Sequence, residues 1–416
     1  MDTVTISEKV EKFVSTLGKP LDESRNSAYQ HLLGLDFPTS RDEYWKYTRV
    51  GKISKGGFKL PTTQSERINL NDYIVANDYL VIENGIIRSD ISQYSKLNFD
   101  IEFVDGESVQ QFDNKVELNK DDIFTALNDA YFSKAVQIKI SQNKVNEGPL
   151  QIIYVEQGEG FVANNRIQII AEKSSSNEII QTFVSKDGSS NFVNHLAQYY
   201  VEENAQLTIH TVQNQAETTS LVSTTQVKQE ANSTFRINTI TMNGLLIRNN
   251  INIAVEGQNC ETYMNGAAVT KGKMHVDNHT FVDHQVSNCM SDENYKYVLG
   301  DQSTGVFNGK VIVRQDAQVI NAYQNNGNIL LSDQATVNSK PELEIYADDV
   351  KCSHGSTTGQ LDEDAMFYLQ ARGISKDGAK QLLVSAFINE VIDSFSNPQL
   401  IDLVERLIEK EHGWSF

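Results

Sequence analysis

Residues 340–373 read KPELEIYADDVKCSHGSTTGQLDEDAMFYLQARG and join a strand pattern to a helix pattern. In the first part, Leu343 and Ile345 alternate with glutamates, which is typical of a half-buried β-strand. The last part has the apolar spacing of an amphipathic helix, and Gly373 stands where such a helix ends. The stretch therefore predicts that a β-domain gives way to a helical domain near residue 360.

Two potential metal ligands, Cys352 and His354, lie between the strand and the helix. An extended backbone places side chains two residues apart on the same face. A thiolate and an imidazole on one face suit zinc, iron or an iron–sulfur cluster. Asp348 and Asp349 lie just upstream and are candidate acceptors for the imidazole N–H. A lone cysteine is also commonly a small buried residue, and a lone histidine is often a turn residue, so spacing alone leaves both interpretations open.

The charge of the chain limits its partners. Its 416 residues include 36 basic and 55 acidic side chains, a formal net charge of −19. Such a balance disfavours nucleic acid or an anionic membrane surface as a partner. No apolar run approaches the roughly 18 residues of a membrane span. Aromatic and basic residues alternate over 41–49, but the basic ones are few, so we interpret this segment as packing.

Cysteine usage and the N-terminus indicate a compartment. Cys260, Cys289 and Cys352 are odd in number and far apart, so they do not form a disulfide framework. The first 18 residues have neither the apolar core of a secretory signal nor the arginines of a transit peptide. We therefore expect a protein of the reducing cytoplasm. The chain also lacks a C-x-x-C motif, so a cluster would need ligands from elsewhere.

Residues 136–350 differ from both ends because alternating, β-branched segments such as QLTIHTVQ and TFRINTITM dominate. Small residues recur in turn-like contexts at equal intervals, at Ala205, Asn232 and Asn259, and again about two intervals further at Ala317. Repeats of roughly 20–50 residues are typical of solenoids, propellers or arrays. The ragged repeat and the many strands favour a right-handed parallel β-helix over a propeller or a sandwich.

Three regions follow from these patterns. Residues 1–135 form an N-terminal helical and mixed region, and residues 136–360 form the parallel β-helix core. Residues 361–416 form a C-terminal helical domain, in which Ser375 and Asn397 are the expected N-caps of the last two helices. The predicted class is therefore mainly β, with α-helical regions at both ends.

A second set of potential ligands is His275, His279, His284 and Cys289. On a strand, an odd spacing turns His279 and His284 to opposite faces, so the set does not converge. We interpret these histidines as ordinary surface and turn residues of the β-helix.

Glycines are frequent just after this set. We expect Gly300, Gly305 and Gly309 to mark tight corners instead of a phosphate cradle. No G-x-x-x-x-G-K-[ST] motif occurs, so the chain is not expected to bind ATP itself.

Three stretches resemble the SufB/SufD family, the scaffold subunits of the SUF iron–sulfur cluster assembly machinery. They are LEIYADDVKCSHGSTTGQLDEDAMFYLQARGI (343–374), the segment 294–335 that begins NYKYVLGDQSTGVFNGK, and the Glu-x-Trp-Lys-Tyr-Thr element at 43–48. The SufB branch has a His-Glu-type sequence where this chain has Cys352-Ser353-His354. The resemblance is therefore to the SufD branch.

The resemblance implies a β-helix scaffold without enzymatic turnover. It implies pairing with a SufB subunit and docking of the SufC ATPase on the C-terminal helices. His354, with Cys352, would lie at the SufB interface and hold iron or a nascent iron–sulfur cluster. Such a cluster would be transient and shared, and not tightly bound by the isolated chain. His284 and Cys289 resemble a family His and Cys and are second-rank metal candidates.

Other interpretations stay open on the residues alone. A β-helix carbohydrate-active enzyme such as a lyase would use clustered carboxylates, for which Asp348 and Asp349 qualify, but it usually carries an export signal. A purely structural, self-associating β-helix is the third. Both a homodimer and a subunit that waits for its partner are compatible with the isolated chain.

Overall fold

A computed structural model of the protein describes residues 7–20, 22–61, 68–95, 99–186 and 188–414. The α-helices in these ranges are, in chain order, α1 (Glu8–Leu17), α2 (Asn26–Leu33), α3 (Gly51–Ser54), α4 (Gly106–Asp113), α5 (Ile123–Tyr131), α6 (Glu363–Ala371), α7 (Lys376–Ile392) and α8 (Pro398–His412). Within the same ranges, no helix combines the length and the apolar character needed to cross a bilayer.

The strands are short at first and then close to ten residues long. They are β1 (Asp78–Glu83), β2 (Ile86–Ile87), β3 (Asp100–Val104), β4 (Ala135–Ile140), β5 (Leu150–Glu156), β6 (Glu159–Ala171), β7 (Ser176–Ser185), β8 (Ser190–Val201), β9 (Gln206–Asn214), β10 (Ser220–Gln229), β11 (Thr234–Asn243), β12 (Leu246–Val255), β13 (Glu261–Thr270), β14 (His275–His284), β15 (Met290–Leu299), β16 (Thr304–Val313), β17 (Ile320–Leu330), β18 (Thr336–Ile345) and β19 (Val350–Gly359).

The strands of the described ranges form two long sheets. Odd-numbered strands from β5 to β19 join β1 and β2 in a ten-stranded sheet, and even-numbered strands from β4 to β18 join β3 in a nine-stranded sheet. From β4 onward the chain alternates between the sheets, and neighbouring strands within a sheet are parallel. The prediction of a parallel β-helix with helices at both ends is therefore confirmed, with about eight coils.

Each coil turns at a corner that often begins with asparagine. In-register partners on successive coils lie roughly 30 residues apart along the chain, a period within the usual range of solenoid repeats. The predicted recurrence is shifted by one residue at its start, because the equivalent of Asn232 and Asn259 is Asn204 and not Ala205. These three asparagines have φ values of 58° to 61°, a left-handed conformation that asparagine adopts more readily than most residues.

Helices cover the outer faces of both sheets. On the nine-stranded sheet, Phe13 of α1 and Phe124 of α5 belong to one apolar cluster with Val162 and Phe192. On the ten-stranded sheet, α7 and α8 pack on outward side chains such as Val212. Because both faces are covered, most strands are buried on both sides, as is usual for parallel sheets.

The segment around Trp45 fastens the N-terminal region to the nine-stranded sheet. The guanidinium of Arg248 lies 3.7 Å from the Trp45 ring centre, and Arg248 forms a 2.5 Å ion pair with Asp277. Thr48 donates a hydrogen bond to the same carboxylate. At the outer end of the segment, Glu43 pairs with Lys340 at 2.6 Å. These contacts agree with the packing role expected for this segment.

The prediction of tight corners is wrong for Gly305 and Gly309, which lie inside strand β16. A Cβ at Gly305 would lie 2.7 Å from the Tyr297 ring, and a Cβ at Gly309 would lie 2.7 Å from the Phe307 ring. Both glycines therefore make room for side chains inside the β-helix. Gly300 does lie in a turn, between β15 and β16.

Candidate functional site

The last coil, formed by β18 and β19, is the open end of the β-helix. These strands stand at the ends of the two sheet orders, and within the described residues β18 is paired to β16 and β19 to β17. Their residues are exposed or half-buried along nearly the whole length, unlike those of the coils before them. The open end therefore presents two strand edges whose backbone groups can pair with another chain.

Cys352 and His354 lie on β19 at this open end. Their in-register neighbours on β17 are Ala322 and Gln324, which are 0% and 1% exposed and face the interior. Cys352 and His354 therefore share the inward face, as the alternation predicts. Cys352 is half-buried and His354 is exposed, because the described chain adds no coil beyond them.

Partial burial affects the chemistry of Cys352. Burial raises the pKa of its thiol, while a hydrogen bond from the Ala322 backbone opposes the shift. The free side chain is therefore a thiol at neutral pH, and a bound metal would have to displace its proton. The exposed imidazole of His354 is a potential ligand through either ring nitrogen.

His284 lies inside the β-helix and away from the open end. It is 0% exposed, and its Nε2 lies 3.0 Å from the hydroxyl of Ser291. Burial lowers its pKa to about 4, so the ring is neutral. Ser291 is two coils from Cys352, with Ala322 between them, which corresponds to roughly 10 Å.

Cys289 occupies a corner of the interior beside Cys260. The two thiols are 2% and 1% exposed, and Cys289 donates a weak hydrogen bond to the Gly257 carbonyl at 3.3 Å. The interaction between the two neighbouring thiols lowers the pKa of Cys260 and raises that of Cys289. The structure does not bring His284 or Cys289 to Cys352 and His354, and their metal-binding role stays a prediction.

The other two histidines of the second set face outward on β14. His279 Nε2 lies 3.1 Å from Asp277 Oδ1, and His275 Nε2 lies 2.8 Å from the Thr48 hydroxyl. His279 and His284 do point to opposite faces, as predicted. The interpretation as surface and turn histidines is wrong for His284, because the β-strand carries its ring into the core.

Asp348 and Asp349 are exposed in the turn between β18 and β19. The backbone N–H of Asp349 donates to Gln318 Oε1 at 2.9 Å. Five residues of extended chain separate Asp349 from His354, a distance of roughly 16 Å. The expectation that one of these carboxylates accepts a hydrogen bond from His354 is therefore wrong.

No group of three or more His, Cys, Asp or Glu side chains converges to hold a metal ion anywhere in the described ranges. Cys352 and His354 thus offer two metal ligands on one face. The remaining coordination positions of a bound metal would be filled by donors from outside this chain. An open edge beside two ligands is an arrangement that a partner chain can complete.

Sequence reasoning missed a polar row behind His354. Met264, Glu293, Gln324 and His354 are successive in-register partners on β13, β15, β17 and β19, and we call them the His354 row. Glu293 is 0% exposed, and burial raises its pKa to about 7 against opposing hydrogen bonds from Thr280 and Gln324. The signal in the sequence is the nearly constant offset between row members, which becomes readable only once the length of each coil is known.

A second exposed feature lies on the C-terminal helices. Phe367 and Tyr368 on α6 are 74% and 57% exposed, and Leu382 on α7 is 49% exposed. The opposite side of α7 carries Val384 and Ile388 into the cluster on the ten-stranded sheet. Large apolar side chains exposed on two consecutive helices make this region a candidate interaction surface.

Comparison with known proteins gives a consistent family. The family described as "SUF system FeS cluster assembly, SufBD core domain" matches residues 154–387. The chain is 28% identical to "Protein ABCI7, chloroplastic" of Arabidopsis thaliana, covering 92% of this chain and 84% of that protein. It is 27% identical to an "Iron-sulfur cluster assembly SufBD family protein" of Synechocystis, over 90% and 87%. It is 25% identical to "Iron-sulfur cluster assembly protein SufD" of Escherichia coli, over 89% and 88%.

Proposed function

Because the chain belongs to the SufBD family of iron–sulfur cluster assembly proteins and is SufD-like, we propose that it is a scaffold subunit without enzymatic turnover. It pairs with a SufB subunit through the open end and docks the SufC ATPase through its C-terminal helices. Iron or a nascent cluster is its cargo. His354 and Cys352 contribute ligands to that cargo, and the SufB subunit supplies the rest.

The observation that carries this proposal is the position of Cys352 and His354 on the uncovered inward face of β19. A coil from a partner that pairs with the edges of β18 and β19 would enclose both side chains. Enclosure would exclude water from the cargo and strengthen its coordination by the two ligands. The same edges allow two copies of this chain to pair, so the isolated protein is expected as a homodimer.

Pairing is tested at Tyr346, which is 61% exposed next to β18. Tyr346→Glu places a charge at the open end and should weaken pairing with SufB, or between copies, by roughly tenfold or more. Val145→Glu is the matched control, because Val145 is 70% exposed far along the chain. Equal affinities of the two variants in sedimentation or native mass spectrometry would place the interface elsewhere.

Docking of SufC is tested on the exposed apolar side of α6 and α7. Deleting the chain from Ser375 onward would uncover the outer face of the ten-stranded sheet, so point variants are the cleaner test. Phe367→Ser with Leu382→Ser should abolish co-purification of SufC, while Val145→Ser retains it. Undiminished capture of SufC by the double variant would contradict this assignment.

Cargo binding is tested in the purified complex by its iron and acid-labile sulfide content. His354→Ala should lower both by roughly tenfold or more, and Cys352→Ser should have a smaller effect. His31→Ala controls for loss of an exposed imidazole, since the His31 side chain is 44% exposed on α2. Normal content in the His354 variant, with normal melting, would leave this residue with no part in cargo binding.

We place the protein in the cytoplasm because its three cysteines are free thiols, as is usual in a reducing compartment. The relative from Arabidopsis thaliana is named a chloroplastic protein, so the proposed cytoplasmic location differs from the compartment in that relative's name. Fractionation of the native host with an antibody to this chain tests the assignment, and recovery with organelles would contradict it.

A further inference from the structure

The His354 row contains a fully buried carboxylate two coils below the site. Glu293 Oε2 accepts a hydrogen bond from the Thr280 hydroxyl at 2.7 Å. Its Oε1 accepts a longer one from Gln324 Nε2 at 3.4 Å. Thr280 lies on β14 and Glu293 on β15, so the carboxylate bridges the two sheets. A buried carboxylate is strongly disfavoured without such partners.

Gln324 connects this carboxylate to the open end. Its side chain is 1% exposed, and it is the in-register neighbour of both Glu293 and His354. Its Oε1 is buried and accepts no hydrogen bond from any residue that the structure describes. Buried amide oxygens in folded proteins normally have a donor, and the next side chain of the row, one strand spacing of about 4.8 Å away, is His354.

The facing sheet is shaped around this pair. Gly309 lies on β16, and a Cβ at that position would be 2.9 Å from Gln324 Nε2 and 3.0 Å from Glu293 Oε2. Real Cβ atoms essentially never come closer than 3.0 Å to a non-bonded heavy atom of another residue. The glycine therefore provides space for the amide and the carboxylate as well as for the Phe307 ring.

We propose that Gln324 and Glu293 are positioning residues for His354: the imidazole makes no hydrogen bond to Gln324 Oε1 in the described arrangement, and a change of its rotamer brings one ring N–H to this buried, unpaired acceptor. An ionised carboxylate only accepts hydrogen bonds, so Gln324 donates to Glu293 through its NH₂ group, and its oxygen stays free to accept a hydrogen bond from His354. This bond selects the tautomer in which the other ring nitrogen keeps its lone pair for a metal. The inference rests on the proposed function, in which His354 is a ligand of the iron or nascent cluster.

The test measures the tautomer of His354 in the purified full chain by ¹⁵N chemical shifts of its ring, assigned with His354→Ala. At pH 8, above the pKa of about 7 of Glu293, one tautomer should dominate. Gln324→Leu removes the acceptor and should change the tautomer ratio roughly five- to tenfold, as expected for one hydrogen bond. Glu293→Leu releases the amide and should shift the ratio in the same direction.

Asn326→Leu is the matched control. It removes a buried amide two residues along the same strand, but the in-register partner of Asn326 is Ser356 and not His354. It should leave the His354 spectrum unchanged. Circular dichroism checks that each variant folds. If Gln324→Leu does not fold, the His354 tautomer ratio in Glu293→Leu tests the positioning role instead. Identical His354 shifts in wild type and the folded variants, or an equal shift in Asn326→Leu, would overturn the proposal.

A Zn²⁺ titration of the same proteins gives a second readout. Zn²⁺ binding that is lost in His354→Ala should weaken roughly tenfold in Gln324→Leu and remain unchanged in Asn326→Leu. Neither measurement needs SufB, SufC or a cluster. A shifted tautomer with normal cluster content in His354→Ala would refute the proposed function alone. An unchanged tautomer ratio in Gln324→Leu, together with a low cluster content in His354→Ala, would refute the positioning role alone.

Discussion

The middle coils and the last coil of the β-helix are built from the same repeat but differ in what covers them. In the middle, Thr280 and Glu293 form a hydrogen bond across a closed interior, and helices cover the outer faces of both sheets. At the end, Cys352 and His354 occupy the same kind of inward position without a following coil in the described chain. An inward polar residue is therefore structural in one place and available for binding in the other.

This difference follows from the way solenoids are stabilised. Each coil contacts only its neighbours, so the terminal coil packs against one neighbouring coil and an inner coil against two. A polar group enclosed in the middle is stabilised by partners within the chain, as Glu293 is by Thr280 and Gln324. Polar groups at the open end are exposed to solvent and remain available to bind a ligand or a second chain. The open end is thus the natural place for a site shared between subunits.

The largest effect that tests the comparison concerns ion pairs. Asp277→Ala leaves the buried Arg248 without its partner and should lower the free energy of unfolding by about 3–5 kcal/mol. The pair at the open end joins Lys310 to Glu344, whose side chain is 42% exposed, at 2.7 Å. Glu344→Ala should cost less than about 1 kcal/mol. Chemical denaturation measures both, and similar losses would break the comparison.

The second effect is the pH dependence caused by Glu293. Burial raises its pKa in the folded state to about 7 from an ordinary value of 4.5, so the folded chain binds the proton more tightly than the unfolded chain. Stability should therefore fall as pH rises from about 4.5 to 7, by up to about 3 kcal/mol. Glu293→Gln should abolish this component. Unfolding curves at pH 5 and pH 8 measure it, and an unchanged pH dependence in the variant would contradict the assignment.

The third effect compares two glycines. Gly309→Ala forces a methyl group against Gln324 and Glu293 and should destabilise the chain by about 1–3 kcal/mol. Gly359, the last residue of β19, has no atom within 4 Å of an added Cβ. Gly359→Ala should therefore change stability by less than about 0.5 kcal/mol. Thermal melting of both variants distinguishes the closed interior from the open end, and equal shifts would argue against the distinction.

The smallest effect separates stability from binding. Tyr346→Ser removes an exposed ring at the open end and should alter the unfolding free energy by less than about 0.5 kcal/mol. The same substitution should weaken pairing measured by sedimentation, because the ring lies beside the edge that a partner would cover. A large loss of stability in a monomer would show that Tyr346 belongs to the folded core of its own chain.

Much of the architecture was readable from local patterns. Alternation of side chains predicts strands because the strand period is two, and it also placed Cys352 and His354 on one face. The N-caps Ser375 and Asn397 do accept backbone hydrogen bonds, from Gly378 and Leu400. Composition and spacing alone did not distinguish a ligand pair from a buried cysteine and a turn histidine.

The sequence by itself determined that strands dominate the middle of the chain, that helices stand at both ends, and which face Cys352 shares with His354. Only the tertiary structure decided that Glu293 and Gln324 lie behind His354, and that Asp349 does not. Alternation and capping are properties of a few consecutive residues, set by backbone geometry. The neighbours of a side chain in a β-helix belong to the preceding and following coils, far away in the sequence, and their identity depends on where each coil closes.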